Sequence, residues 1–232
     1  MWDFEAGEIL AFDKPLHWTS FDVVAKVRYN LCRVLKTKKL KVGHTGTLDP
    51  LATGVVIVCT GKKTKMIEQL QYDVKEYIAT LQLGATTPSY DLEKEIDAIY
   101  PTAHITRQLI DETIPQFLGE QLQVPPMFSA VQINGKRAYE LARKGETVEL
   151  KPKLLVIDEI EILSFDEQTM QLILRVVCSK GTYIRALARD IGERLQSGAH
   201  LIALRRTRVG DTRVEECLTI EQFLKQLNEI YV

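Results

Sequence analysis

The sequence predicts an α+β fold built on a mixed sheet, and two observations carry that prediction. Strand patterns dominate the 232 residues, with alternation or short apolar runs at 8–13, 55–60, 75–84, 154–165, 170–178 and 199–209. Helical patterns do not alternate with them one for one, as a doubly wound sheet would require. The chain is 45% hydrophobic and 26% charged, the balance of an ordinary globular protein. Its length can bury a substantial core without disulfides or metal.

In chain order, Glu8 to Asp13 reads as a short strand stopped by Lys14-Pro15. Thr19 and Ser20 can cap the next helix, because their hydroxyl oxygens accept from free backbone N–H groups. From Phe21 to Leu35, Val24, Val27, Leu31 and Val34 recur at helical spacing and mark a core-facing stripe. A basic, amphipathic helix is expected at about 62–70, and a half-buried strand at 75–84 with Tyr77, Ala79, Leu81 and Leu83 on one side. Residues 85–103 read as loop. Thr106 to Leu118 reads as a helix interrupted by Pro115. Val124 to Ala130 cannot be regular at Pro125 and Pro126; the turn signal Asn134-Gly135 and a short helix, Arg137 to Arg143, follow. Tyr139 and Arg143 share a face of that helix, and Lys136, Arg137, Arg143 and Lys144 make the segment basic, as suits an arm that grips a partner. Strands 154–165 and 170–178 pair around Asp166-Glu167. Thr182 to Leu195 is helical, with Arg189–Glu193 and Asp190–Arg194 at i,i+4. A strand at 199–209 and an amphipathic helix from Thr219 complete the chain.

The stretch with chemical content is Gly43-His44-Thr45-Gly46-Thr47-Leu48-Asp49-Pro50-Leu51-Ala52-Thr53-Gly54, which runs into the apolar Val55 to Cys59. Only His44 and Asp49 titrate within it. Pro50 fixes its own φ and biases Asp49 toward an extended backbone, so one carboxylate is held at a loop–strand junction. Taken alone, Asp-Pro is a turn signal. Arg33, Lys36, Lys38, Lys39 and Lys41 precede the stretch, Lys62, Lys63 and Lys65 follow its strand, and Arg205, Arg206 and Arg208 cluster later. Any one basic run is ordinarily a solvated face, but two of them flank one loop, which points to a polyanionic substrate although the net charge is only −1.

Other chemistries are excluded. Gly61-Lys62-Lys63-Thr64 fails as a phosphate loop, because Lys63 stands where Ser or Thr is needed and Val56 where the first Gly belongs. Cys32, Cys59, Cys178 and Cys217 are far apart, and neither they nor the four histidines show metal-ligand spacing. No cofactor and no metal are expected. The acidic start Met-Trp-Asp-Phe-Glu is unlike a signal peptide, and no apolar run is long enough to cross a membrane; a cytoplasmic protein is expected.

Six segments in order resemble the TruB family of tRNA pseudouridine synthases. They are Asp13-Lys14-Pro15 with Thr19 to Asp22, the loop around Asp49, Lys75-Glu76-Tyr77, Pro125 to Ala130 with Gly135, Arg137, Tyr139 and Arg143, Ser179 to Arg185, and Leu204 to Gly210. The resemblance implies a pseudouridine-synthase fold: a mixed, mainly antiparallel central sheet flanked by helices and loops. It implies a single catalytic domain over 1–232, with an RNA-gripping insertion at about 124–150 and a short helical tail at 211–232. It also implies a tRNA substrate modified in its T-stem-loop at uridine 55, no membrane, no obligate protein partner and a monomer. Asp49 becomes the catalytic residue, as nucleophile or as base. Tyr77 stacks on the uracil, Arg185 is the cation for Asp49, Leu204 walls the pocket and His44 sits against displaced loop bases. Lys14 and Arg143 join the substrate-binding set. Without the resemblance, Arg185 reads as a helix-surface ion-pair former and Leu204 as a core leucine.

The family usually has Gly at His17 and Tyr at Phe128, and many bacterial relatives carry a small C-terminal RNA-binding domain that is expected to be absent or vestigial here. A non-catalytic RNA-binding module and a guide-dependent rRNA synthase of the same superfamily are the alternatives. The first does not need a rigid carboxylate near RNA, and the second usually carries that C-terminal domain.

Overall fold

The computed structural model describes every residue except 1, 72, 130, 134, 146–147 and 232, and leaves the side chains of Ile133 and Arg143 undescribed. The elements run β1 (Ile9–Lys14), α1 (Ser20–Val34), β2 (Val42–His44), β3 (Ala52–Thr60), a 3-10 turn (Gly61–Met66) continuing as α2 (Ile67–Leu70), β4 (Lys75–Leu83), β5 (Ala85–Thr86) and β6 (Ala98–Ile99). They continue with α3 (Arg107–Thr113), β7 (Gly119–Gln123), β8 (Gln132–Ile133), β9 (Lys136–Arg137), α4 (Ala138–Arg143), β10 (Lys153–Asp166), β11 (Gln171–Cys178), α5 (Ile184–Arg194), β12 (Ala199–Val209), β13 (Thr212–Arg213) and α6 (Ile220–Tyr231). The main strand order is β1-β3-β12-β4-β11-β10-β7, with β2 on β3 and β13 on β12. The β3–β12 pair is parallel, whereas β1–β3, β2–β3, β7–β10 and β10–β11 are antiparallel. This is the expected α+β architecture with a mixed, mainly antiparallel sheet. Among the described residues no helix is long and apolar enough to cross a membrane.

The chain forms two compact units, Met1–Tyr77 with Leu204–Val232, and Ile78–Ala203. In the first unit, β3 is buried along almost its whole length, the pattern of an interior strand covered on both faces. Its neighbour β1 contributes Phe12, fully buried, whose ring meets Phe223 of α6 edge-on at 5.4 Å. Helix α1 turns Val23, Val24, Val27 and Leu31 inward. Its N-terminus is fixed by a capping box: the Asp22 amide donates to Thr19 Oγ1, and the Thr19 amide and hydroxyl donate to the Asp22 carboxylate. Those donors hold the Asp22 carboxyl below its ordinary range.

In the second unit, β10 and β11 make a long hairpin whose inner face buries Ile157, Leu172, Leu174 and Val176. Helices α3 and α5 add Ile110 and Ile191 to the buried set. The anticipated Arg189–Glu193 pair is present at 4.0 Å, but Asp190 pairs with Arg189 at 2.6 Å. Asn134 of the expected turn lies outside the described residues, while Gln132–Ile133 and Lys136–Arg137 on either side of it pair as β8 and β9.

Four local expectations are corrected, the first being 85–103, read as loop, where β5 and β6 pair antiparallel. The segment at 62–70 is a 3-10 turn with only a four-residue α-helix after it. Strand β3 starts at Ala52, not Val55, and Val42–His44 ahead of it is itself a strand. Residues 119–123 form β7, whose mostly exposed side chains give no periodic signal; the strand exists through its pairing with β10.

Candidate active site

The Asp49 loop joins two strands that both pair with neighbours in the first unit. His44 ends β2, opposite Val58. Ala52 opens β3 opposite Leu204 of the parallel strand β12, and Lys14 at the end of β1 faces Gly54. Sheet register therefore gathers Lys14, His44, Asp49 and Leu204 around one short segment, with Arg205 and Arg206 beside Thr53 and Gly54.

Buried groups fix that segment from several directions. The Ser20 hydroxyl accepts from the Leu48 amide at 2.8 Å and lies 3.3 Å from the Leu48 carbonyl. The His17 amide donates to the Pro50 carbonyl at 2.7 Å. Arg206, 3% exposed, donates through Nε to the Val55 carbonyl at 2.7 Å and through its two terminal nitrogens to the Thr47 and Gly46 carbonyls at 3.3 and 3.2 Å. Asp49 thus sits between anchored residues on both sides, and the Ala52 amide closes the turn on the Asp49 carbonyl at 3.0 Å. Gly54 makes the approach of β12 possible: its φ is +110°, and a Cβ there would lie 2.1 Å from the Arg206 carbonyl oxygen.

The arginine cluster at 205–208 is therefore not simply a solvated face: Arg206 is buried, and Arg205 and Arg208 are paired. Arg205 forks onto Asp13 at 2.7 and 3.2 Å. Arg208 reaches the Gly210 carbonyl and stands 3.8 Å from Glu76. The composition of the run hid this, since arginine is rarely buried without partners; the carbonyls that satisfy Arg206 come from residues about 150 positions away. Of the two capping candidates, Thr19 caps α1 and Ser20 holds the loop.

Electrostatics follow from this burial. Lys14 is fully buried, with Nζ donating to the Pro15 and Trp18 carbonyls at 3.0 and 2.6 Å. Burial lowers its pKa from 10.5 to about 8, the Asp49 carboxylate pulls it back up, and the Arg206 charge lowers it further. Lys14 thus remains a cation at neutral pH and feels the Asp49 charge. Burial, and next the Arg206 charge, push His44 below the ordinary histidine range, with the Gly46 carbonyl acting in the opposite direction. His44 is therefore neutral at pH 7, and among the described residues its buried Nδ1 has no hydrogen-bond partner. Tyr77, 8% exposed, lies on the buried face of β4 beside Glu76, which accepts from the Thr207 hydroxyl at 2.8 Å.

Arg185 and Arg143 belong to the second unit. Arg185 is not a helix-surface residue. It is 5% exposed in the first turn of α5, donates to the Ser89 and Phe128 carbonyls at 3.2 and 3.0 Å, and stands 3.6 Å from Asp91. One turn on, Arg189 donates to the Val124 carbonyl and stacks 5.0 Å from the Tyr90 ring. These two arginines tie the Pro-anchored insertion to α5. Arg143 closes α4, and its side chain lies outside the described residues. Among the described residues no group of three or more His, Cys, Asp or Glu is placed to hold a metal ion.

A mixed α+β sheet carrying one braced loop carboxylate fits the pseudouridine synthases as a class, and comparison with known proteins supplies the assignment. Residues 33–184 match the model of the TruB family pseudouridylate synthase N-terminal domain, and residues 185–230 match that of the tRNA pseudouridylate synthase B C-terminal domain. The chain belongs to the TruB family, and it is an isomerase. A protein named tRNA pseudouridine synthase B from Phocaeicola vulgatus is 66% identical over 98% of this chain and 96% of its own length. One of the same name from Bacteroides thetaiotaomicron is 69% identical over 95% and 93%. Among solved structures, a chain of a Cbf5-Nop10-Gar1 complex superposes with a TM-score of 0.71 at 29% identity, over 96% of this chain and 54% of its own length; the present chain thus spans about half of it.

Proposed function

We propose that this protein converts the T-loop uridine of tRNA, conventionally position 55, to pseudouridine, with Asp49 as the catalytic carboxylate. The observation that carries the reading is the bracing of Asp49 by Ser20, His17 and Arg206 in a loop whose neighbours include a buried cation, Lys14. A turn residue has no need of such anchoring, whereas a carboxylate that must meet one atom of a flipped nucleotide does. Extracting the target base costs a few kcal/mol, and stacking on an aromatic side chain such as Tyr77 returns about 1–3 kcal/mol. The N1–C1′ bond then breaks, the uracil turns, and C5 bonds to C1′; the C5 proton is lost and N1 gains one, so the product is an isomer. Asp49 serves this either by attack or by removing a ribose proton. Leu204 excludes water, neutral His44 packs against displaced loop bases, and Arg185 retains the role of cation that the family resemblance implies.

The alternative of a guide-dependent synthase draws on the solved neighbours, which are described in complexes with partner proteins. The near full-length match to proteins named for tRNA, at more than twice the identity, favours a tRNA enzyme; its action as a monomer in the cytoplasm is part of the same proposal. The test is incubation with an unmodified tRNA transcript and mapping of pseudouridine. A product at position 55 without added guide RNA or protein is expected, and no product, or product only with a guide, would contradict the reading.

A further inference from the structure

The first unit carries a groove of about 690 Å³ between α1, the segment before β2 and the 3-10 turn. Its lining includes Arg28, Tyr29, Lys38, Lys39 and Lys41, with Cys32 among them, and no aspartate or glutamate. Local sequence explains the arrangement: in Lys38-Lys39-Leu40-Lys41 the leucine is buried and anchors the segment, which leaves the three lysines exposed. Among the described residues, none of these four cations has an ion-pair partner; Arg28 instead lies 5.8 Å from the exposed Phe21 ring. Tyr29 is 67% exposed on the same rim. Cations without carboxylates beside an exposed aromatic match a nucleic-acid strand, through its phosphates and one base or sugar face.

The groove is also continuous with the site. Lys41, Val42 and Gly43 line it, and His44 is the next residue of β2. At a strand rise of about 3.3 Å per residue, Lys41 lies about 10 Å from His44. We propose that this groove binds the phosphate backbone of the substrate RNA adjoining the flipped nucleotide, as a second contact region outside the catalytic loop. The inference rests on the RNA-modifying reading above and deepens it.

Cys32 is a built-in reporter. Cys59 and Cys178 are buried, and burial and neighbouring carboxylates push the Cys217 thiol up to about 12, which leaves Cys32 as the thiol for a maleimide at neutral pH. Saturating tRNA transcript should slow Cys32 alkylation at least fivefold. In K38A/K39A/K41A the slope of log affinity against log salt should fall by about 2, at about 0.7 per lost contact. By the same slope, affinity at 0.1 M salt should drop up to about 100-fold. The corresponding Lys→Arg variant should restore both. Cys32 reacting at its free rate while tRNA is bound and modified would overturn the proposal, as would a parent-like salt slope in the triple variant. Parent-like tRNA affinity at 0.1 M salt in the triple variant would also overturn it. A parent chain that neither binds nor modifies tRNA would instead overturn the functional reading itself.

Discussion

Replacing Arg206 with Ala should damage the reaction more than its distance from any substrate atom would lead one to expect. The guanidinium makes one short bond, 2.7 Å to the Val55 carbonyl, and two longer ones, 3.3 and 3.2 Å to Thr47 and Gly46. A charge-assisted bond contributes about 1.5–3 kcal/mol and each longer one about 0.5–1, so about 3–5 kcal/mol is lost. Removing a buried charge returns part of that, which leaves a net loss of about 2–4 kcal/mol. For a chain of this size the apparent melting temperature should fall by about 5–15 °C. The larger effect is on chemistry. Two of the three bonds hold residues just ahead of Asp49, and a shift of about 1 Å in a reacting group costs about a hundredfold in rate. Single-turnover pseudouridine formation at saturating tRNA, below the variant's melting temperature, should slow by about that factor. The His44 pKa, read by NMR titration, should rise, because the Arg206 charge is the second cause of its depression. Arg206→Lys should fall between the two, since one ammonium cannot span three carbonyls. A variant that melts early yet turns over within threefold of the parent would refute the idea that Arg206 positions the loop.

Two further predictions concern the neighbouring segment. Lys14 falls from 10.5 to about 8 in the folded chain, so between those values the unfolded chain holds more protons and stability rises with pH. The parent should gain up to about 3 kcal/mol relative to Lys14→Met between pH 8 and 10.5, measured by denaturant titration, and parallel pH profiles would refute the assignment. His17 occupies the left-handed region at φ +67°, which costs a residue with a Cβ about 1–2 kcal/mol. Allowing for glycine's extra chain entropy, His17→Gly should stabilise by about 0.5–1 kcal/mol while keeping the amide bond to Pro50; a lower melting temperature would contradict this.

The strained His17 was visible in the sequence only as a departure from the family's usual Gly. The alternation of Tyr77, Ala79, Leu81 and Leu83, the capping box of α1 and the bounds of β12 were legible because each is a local pattern with one physical cause. What was not legible is non-local. The three residues of β2 become a strand only through pairing with β3, and the burial of Arg206 depends on carbonyls supplied by another part of the chain. Arg185 is similar: its partners Ser89, Asp91 and Phe128 come from segments that read as loops. A sequence reading sees the charge but not the carbonyls that hold it.

The central claim is that Asp49 performs the chemistry, and Asp49→Asn tests it most directly. Asn is nearly isosteric, and the bonds that brace the loop run to backbone groups of Leu48, Pro50, Gly46 and Thr47, which the change leaves in place. Affinity for tRNA and pseudouridine formation should be measured on the same preparation. The account predicts near-native affinity with no detectable pseudouridine. Turnover near the parent's rate would make Asp49 a turn residue and contradict the catalytic reading of the loop.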